Sequence, residues 1–138
     1  MVVKWLKTIQ QQYKQQYKQQ YMSRHWKDLE VWQLSHQMVI DIYKISSFPS
    51  GEKYSLCDQI KRAAISIPAN IVEGHSKNSK KDFIRYLYIS RGSLEELRYL
   101  LFLSSDLKFI PENKYLEYEK RLITISVKLN NLIHSLKS

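Results

Sequence analysis

Apolar residues recur along most of the chain at steps of three and four, the spacing of an amphipathic helix. Val31, Leu34, Met38, Ile42 and Ile45 form one such stripe, with Trp32, Val39 and Tyr43 along its edge, and predict a first helix over Trp26 to Ser46. The run SSFPSGEKY ends it, with Pro49 and Gly51 as breakers and Phe48 expected to fold back on the bundle end. A second helix is predicted from near Tyr54 to Gly74, and it carries two stripes. Leu56, Ile60, Ala63 or Ala64, Ile67 and Ile71 mark one face; Ile65, Ala69 and Val72 mark another. Pro68 lacks a backbone donor, so a kink is expected there, with Ser66 and Asn70 placed to bond freed backbone groups. Gly74 is a candidate C-cap, the alternative being a helix that runs on by a turn.

Ser79 and Asp82 fit a capping box opening a third helix over Lys80 to Leu107. Phe83, Leu87, Ser90, Leu94, Leu97 and Leu101 alternate steps of four and three, a heptad-like seam. Tyr86, Ile89, Leu100, Leu103 and Leu107 add a second strip, and Gly92 is expected at a close contact with the small residues of the second helix. After LKFIPENKY, Pro111 and Glu112 open a fourth helix whose core face is Leu122, Ile125, Leu129, Leu132, Ile133 and Leu136. Four helices with three short links predict an all-α, left-handed, antiparallel up-down-up-down four-helix bundle. Three Gly and three Pro are too little punctuation for a sandwich or barrel. The second stripe of the second helix needs a further surface to cover it. Ile65, Pro68, Ala69, Val72 and Gly92 are therefore the candidate oligomer interface.

Residues 1–21 stand apart from the bundle domain, 22–138. Tyr13, Tyr17 and Tyr21 fall four apart in QQQYKQQYKQQY, beside Lys14 and Lys18. The favoured reading is a frayed low-complexity extension; the alternative is a basic aromatic arm that stacks on bases or docks on a partner. Met22 opens a more ordinary sequence, as an internal start would.

Charge sharpens this division. The net charge is +9, from 22 Lys and Arg against 13 Asp and Glu. Residues 1–21 hold four lysines and no acid, which leaves +5 on the body. Such a balance favours polyanions as partners. Cys57 is the single cysteine, so no internal disulfide can form, as suits a reducing cytoplasm. No apolar run approaches the length of a membrane span, and the start lacks the apolar core of a secretory leader, so no membrane association is expected.

Specific chemistry is sparse. His25, His36, His75 and His134 are scattered without ligand spacing, so neither a metal nor another cofactor is expected. Ser66, Ser90 and Ser93 have no nucleophile elbow or phosphate loop around them. Glu73, Glu95 and Glu96 are expected to pair with Arg62, Arg85, Arg91 or Arg98. The chain is expected not to be an enzyme. The basic residues Lys61, Arg62, Lys77, Lys80, Lys81, Arg85 and Arg91 are the candidate nucleic-acid contacts, reading backbone charge and shape rather than bases.

Several separated motifs occur in order: Leu29 to Trp32; Phe48 and Pro49 followed by Glu52, Tyr54 and Leu56; Gln59 to Gly74; Asp82 and Phe83 with Tyr86 and Leu87; and Gly92 to Leu97. Together they resemble the four-helix-bundle proteins encoded in 23S rRNA intervening sequences, over about residues 24 to 136. The chain departs from that pattern at Lys61, where arginine is frequent, and at Val72, where alanine is common. The family is similar in fold to the accessory variability determinant of diversity-generating retroelements. Members of both groups form homopentamers with an axial channel, and the retroelement relatives bind nucleic acid and a reverse transcriptase. The resemblance implies a homopentameric ring and, by analogy, sequence-independent binding of RNA or DNA. The alternative is a protein-interaction scaffold without nucleic-acid contact.

Overall fold

The computed structural model describes residues 3, 4, 7–9, 11, 12, 25–52 and 55–138. The expectations placed on Tyr13, Lys14, Tyr17, Lys18, Tyr21, Met22 and Tyr54 lie outside the described residues. Four long helices make up the fold: α1 (Glu30–Tyr43), α2 (Leu56–His75), α3 (Lys80–Asp106) and α4 (Glu112–Lys137). No strand occurs among the described residues. α2 lies along α3, α3 along α4, and α1 packs against α2 and α4.

α1 is shorter than its apolar stripe suggests. Trp26–Asp28 form a separate 3-10 turn, capped where the His25 ring accepts from the Lys27 amide at 3.1 Å. Leu29 then turns extended, with ψ of 121°, and inserts its side chain fully buried into the core. Burying Leu29 as a plug at the helix mouth outweighs one more helical turn, since a buried leucine contributes about 1.5–3 kcal/mol. At the other end, the Lys44 amide closes on Asp41 and Ile42 and the helix stops before Ile45.

α2 is continuous through Pro68 and ends one residue beyond Gly74. Its buried face is Ile60, Ala63, Ala64, Ile67, Pro68 and Ile71. Pro68 thus belongs to the core of the single chain, not to an outer surface, because it follows Ala64 and precedes Ile71 at helical spacing. The close contact expected at Gly92 is found instead at Gly74, past which the helix runs on to His75. A Cβ on Gly92 would meet nothing within 4 Å, and Gly92 is exposed. A Cβ on Gly74 would lie 2.6 Å from Tyr86 Cβ and 3.1 Å from the Phe83 ring. The close crossing of α2 and α3 is therefore at Gly74, in the last turn of α2.

The seam on α3 is buried at Phe83, Leu87, Ser90, Leu94, Leu97 and Leu101. Ser79 caps the helix by accepting from the Asp82 amide at 3.1 Å. Buried Ser90 donates to the Ile67 carbonyl at 2.9 Å and pins the seam to the middle of α2. Beyond α3, Lys108 takes the left-handed conformation, φ 62°, and the Phe109 amide reaches back to Ser104 at 2.8 Å. Pro111 is the N-cap of α4, its carbonyl accepting from Lys114 and Tyr115 at 3.0 Å.

Candidate nucleic-acid interface

The junction of α2 and α3 is shaped by the missing side chain of Gly74. Without a Cβ there, α3 approaches until Tyr86 lies over the end of α2. The Tyr86 hydroxyl then donates to Glu73 Oε1 at 3.2 Å. Within the chain, then, the shown partner of Glu73 is a phenol, the expected arginine pairing being one across or between subunits. Two cations lie over the Tyr86 ring: Arg85 Cζ at 4.7 Å from its centroid and Lys77 Nζ at 5.4 Å.

Basic residues are dense along this stretch of the chain. Between residues 73 and 91 the chain has five, Lys77, Lys80, Lys81, Arg85 and Arg91, against Glu73 and Asp82. All five are exposed. Asp82 lies 4.0 Å from Arg85, at the limit of an ion pair. Arg91 donates to Asn130 Oδ1 at 3.1 Å and lies 4.6 Å from the Tyr88 ring centroid. Lys137, in the last turn of α4, lies 5.1 Å from the same ring and extends the basic surface onto a second helix.

Lys61 and Arg62 are elsewhere. They sit more than twelve residues before Lys77 along the chain, which puts them about 20 Å away along α2. Lys61 Nζ lies 4.8 Å from the Tyr43 ring centroid, and Arg62 pairs with Asp58 at 2.9 Å. Of the seven basic residues picked out by sequence, Lys77, Lys80, Lys81 and Arg85 share the α2–α3 turn, Arg91 lies further along α3 at the level where Ser90 meets Ile67, and Lys61 and Arg62 lie beyond that level on α2.

Toward the α3–α4 turn Arg98, Lys114 and Arg121 are paired within the fold. Arg98 bonds both carboxylate oxygens of Glu119 and also Glu95. Those bonds, Glu119 foremost, hold its pKa above the ordinary value against partial burial. Arg121 meets Asp41 at 2.8 Å. Burial alone would raise the Asp41 carboxyl, but hydrogen bonds from Arg121 and Gln37 and the charges of Arg121 and Lys44 bring it below the usual value. A cavity of about 450 Å³ opens here between α1 and α4, yet Arg121 and Lys114 on its wall already face Asp41 and Glu117.

The expected interface residues divide. Ile65 and Ala69 are exposed and Val72 is half-buried, with Ile89 and Gly92 exposed on α3. Between the two helices Ser66 and Ser93 bond hydroxyl to hydroxyl at 2.7 Å, and Asn70 donates to Ser66. Pro68 lies inside. The Ser66 and Ser93 hydroxyls thus bond to each other, Ser66 also accepts from Asn70, Ser93 also donates to the Ile89 carbonyl, and Ser90 donates to the Ile67 carbonyl. Among the described residues no group of three His, Cys, Asp or Glu is placed to hold a metal ion. No helix among them is long and apolar enough to cross a membrane.

Tyr86, Tyr88 and Lys137 were not singled out as site residues from sequence. Tyr86 could have been, since it directly follows Arg85. Lys137 could not, because its role requires knowing that the end of α4 lies beside Tyr88.

Comparison with known proteins agrees with this architecture. A crystal structure at 1.70 Å of a protein of unknown function from Bacteroides thetaiotaomicron VPI-5482, of the S23 ribosomal protein family, superposes with a TM-score of 0.69 at 27% identity. The match covers 75% of this chain and 95% of that one. No curated protein matches the chain. The sequence profile of the 23S rRNA-intervening sequence proteins matches residues 27–131, most of the chain including all of α2 and α3. The chain belongs to the 23S rRNA-intervening sequence protein family.

Proposed function

We propose that this chain is a non-enzymatic, cytoplasmic, antiparallel up-down-up-down bundle that assembles into a homopentameric ring and binds RNA or DNA through its basic end, without reading sequence. The observation carrying this reading is that Lys77 and Arg85 lie over the Tyr86 ring and Arg91 and Lys137 over the Tyr88 ring, with Lys80 and Lys81 exposed in the first turn of α3. Few carboxylates lie among them, whereas Arg62, Arg98 and Arg121 are paired with carboxylates of the chain itself. Exposed lysines and arginines displace counterions from a phosphate backbone, and repetition around a ring multiplies weak contacts. Lys61 and Arg62 stand outside this surface.

Binding to mixed RNA and to duplex DNA across a salt series tests the reading. Affinity should fall linearly with salt on logarithmic axes, and replacing Lys77, Lys80 and Lys81 together by alanine should lessen the slope by about 2–3. Absence of binding at low salt, or binding indifferent to salt, overturns it. The second reading is a protein-interaction scaffold without nucleic-acid contact. It draws on the exposed apolar residues Ile65, Ala69 and Ile89, and gains if binding fails while partners survive nuclease treatment in a pull-down.

A further inference from the structure

We infer that Tyr86 is a stacking platform for an unpaired base, so that the preferred occupant of the basic end is single-stranded rather than duplex nucleic acid. This rests on the nucleic-acid reading above and narrows it. The ring is fixed at root and tip. Its Cβ occupies the space left by Gly74, where a Cβ would lie only 2.6 Å away, and its hydroxyl is tied to Glu73. Tyr86 is half-buried, yet it takes no part in the hydrophobic core. The groups over the ring are Arg85 and Lys77, both exposed side chains on flexible stems. Both can turn away to meet phosphate, and the aromatic surface they leave is planar and electron-rich.

A nucleobase suits that surface, because every base has a face to offer and stacking on an aromatic side chain needs no particular sequence. The Arg85 guanidinium can stack on such a base as well as pair with its phosphate. Bases inside a duplex already stack on one another, so a double helix can use only the charges. The two other described tyrosines that carry a cation are less suited. Tyr88 packs partly against the core and its neighbour Arg91 is held by Asn130. Tyr43 carries the single cation Lys61, beside an Arg62 that Asp58 engages.

The test uses the full chain and three labelled probes of about 20 nucleotides, longer than a typical single-strand site. These are a uridine-rich single strand, a duplex, and an abasic strand with the same phosphates. Tyr86→Leu should weaken single-strand binding about tenfold, within the range of base–aromatic stacking, and leave duplex and abasic binding within about twofold. Tyr86→Phe keeps the ring and should retain most of the single-strand affinity. Independently of any variant, a strand carrying iodouracil should photocrosslink to Tyr86. An unchanged affinity in Tyr86→Leu, an equal loss on all three probes, or crosslinks only elsewhere overturns the platform while leaving the broader reading in place. If Tyr86→Leu does not fold, the crosslink decides. Failure of the wild-type chain to bind any of the three probes overturns both.

Discussion

Two glycines of this chain sit within long helices, Gly92 in the middle of α3 and Gly74 in the last turn of α2, and their surroundings give them opposite chemistry. Alanine at an open helical position gains about 1 kcal/mol over glycine through propensity alone. Gly92 is such a position. At Gly74 the incoming methyl would strike Tyr86 Cβ, an atom anchored to the α3 backbone that cannot swing aside. Gly74→Ala should therefore destabilise by about 1–3 kcal/mol, the usual range for overpacking. Gly92→Ala should stabilise by somewhat less than about 1 kcal/mol, measured in a monomeric background so that assembly does not intervene. Urea melts of both variants check the pair, and equal signs would contradict the described α2–α3 crossing. Sequence shows both glycines, but not which one faces the neighbouring helix, because that depends on the rotation of each helix to within a fraction of a turn.

Among the elements, the seams of α2, α3 and α4 are buried as their spacing predicts, while on the first stripe Leu34 and Ile45 are only half-buried. Every residue of the Phe83 to Leu101 stripe is buried, because a heptad-like spacing keeps one continuous row facing the neighbouring helices. The start of α1 was not legible. The apolar pattern runs unbroken through Leu29, and only the three-dimensional demand for a buried plug turns that residue extended. The tie between α1 and α4, Arg121 on Asp41, makes a prediction about acid. The Asp41 carboxyl is depressed below its ordinary 3.8 in the folded chain. A depressed carboxylate stabilises the fold fully above the ordinary value and loses that contribution as pH falls through the lower, folded one. The stability difference between wild type and Asp41→Asn should thus shrink as pH is lowered from about 5 to about 2. Thermal melts at several pH values read it. A difference that grows toward acid would reverse the assignment.

For the whole molecule, the outward stripe of α2 makes the strongest prediction. Ile65 is 42% exposed and Ile89 is 44% exposed, so neither is needed to close the core of one chain. Ile65→Asp should reduce the particle mass seen by light scattering and leave the helical signal of circular dichroism unchanged. Loss of helicity instead would move Ile65 into the core of the single chain. The two stripes were readable in the sequence because they fall on different faces of one helix. The basic end was readable only in part. Lys77 to Arg91 are close in sequence, but the sequence leaves Lys61 and Arg62 open to lie near them or toward the opposite end, and Lys137 joins from the far end of the chain.

The division of charge along α3 has a consequence for motion. Residues 73–91 carry five basic against two acidic side chains, while residues 92–121 carry five against six. The 27 residues of α3 set the two regions on a rod about 40 Å long. Such a body is an electric dipole, and the field of a polyanion exerts a torque on it before any contact is made. The chain would arrive with the turn between α2 and α3 leading, having searched far fewer orientations than a uniformly charged particle must, and added salt would remove this guidance first.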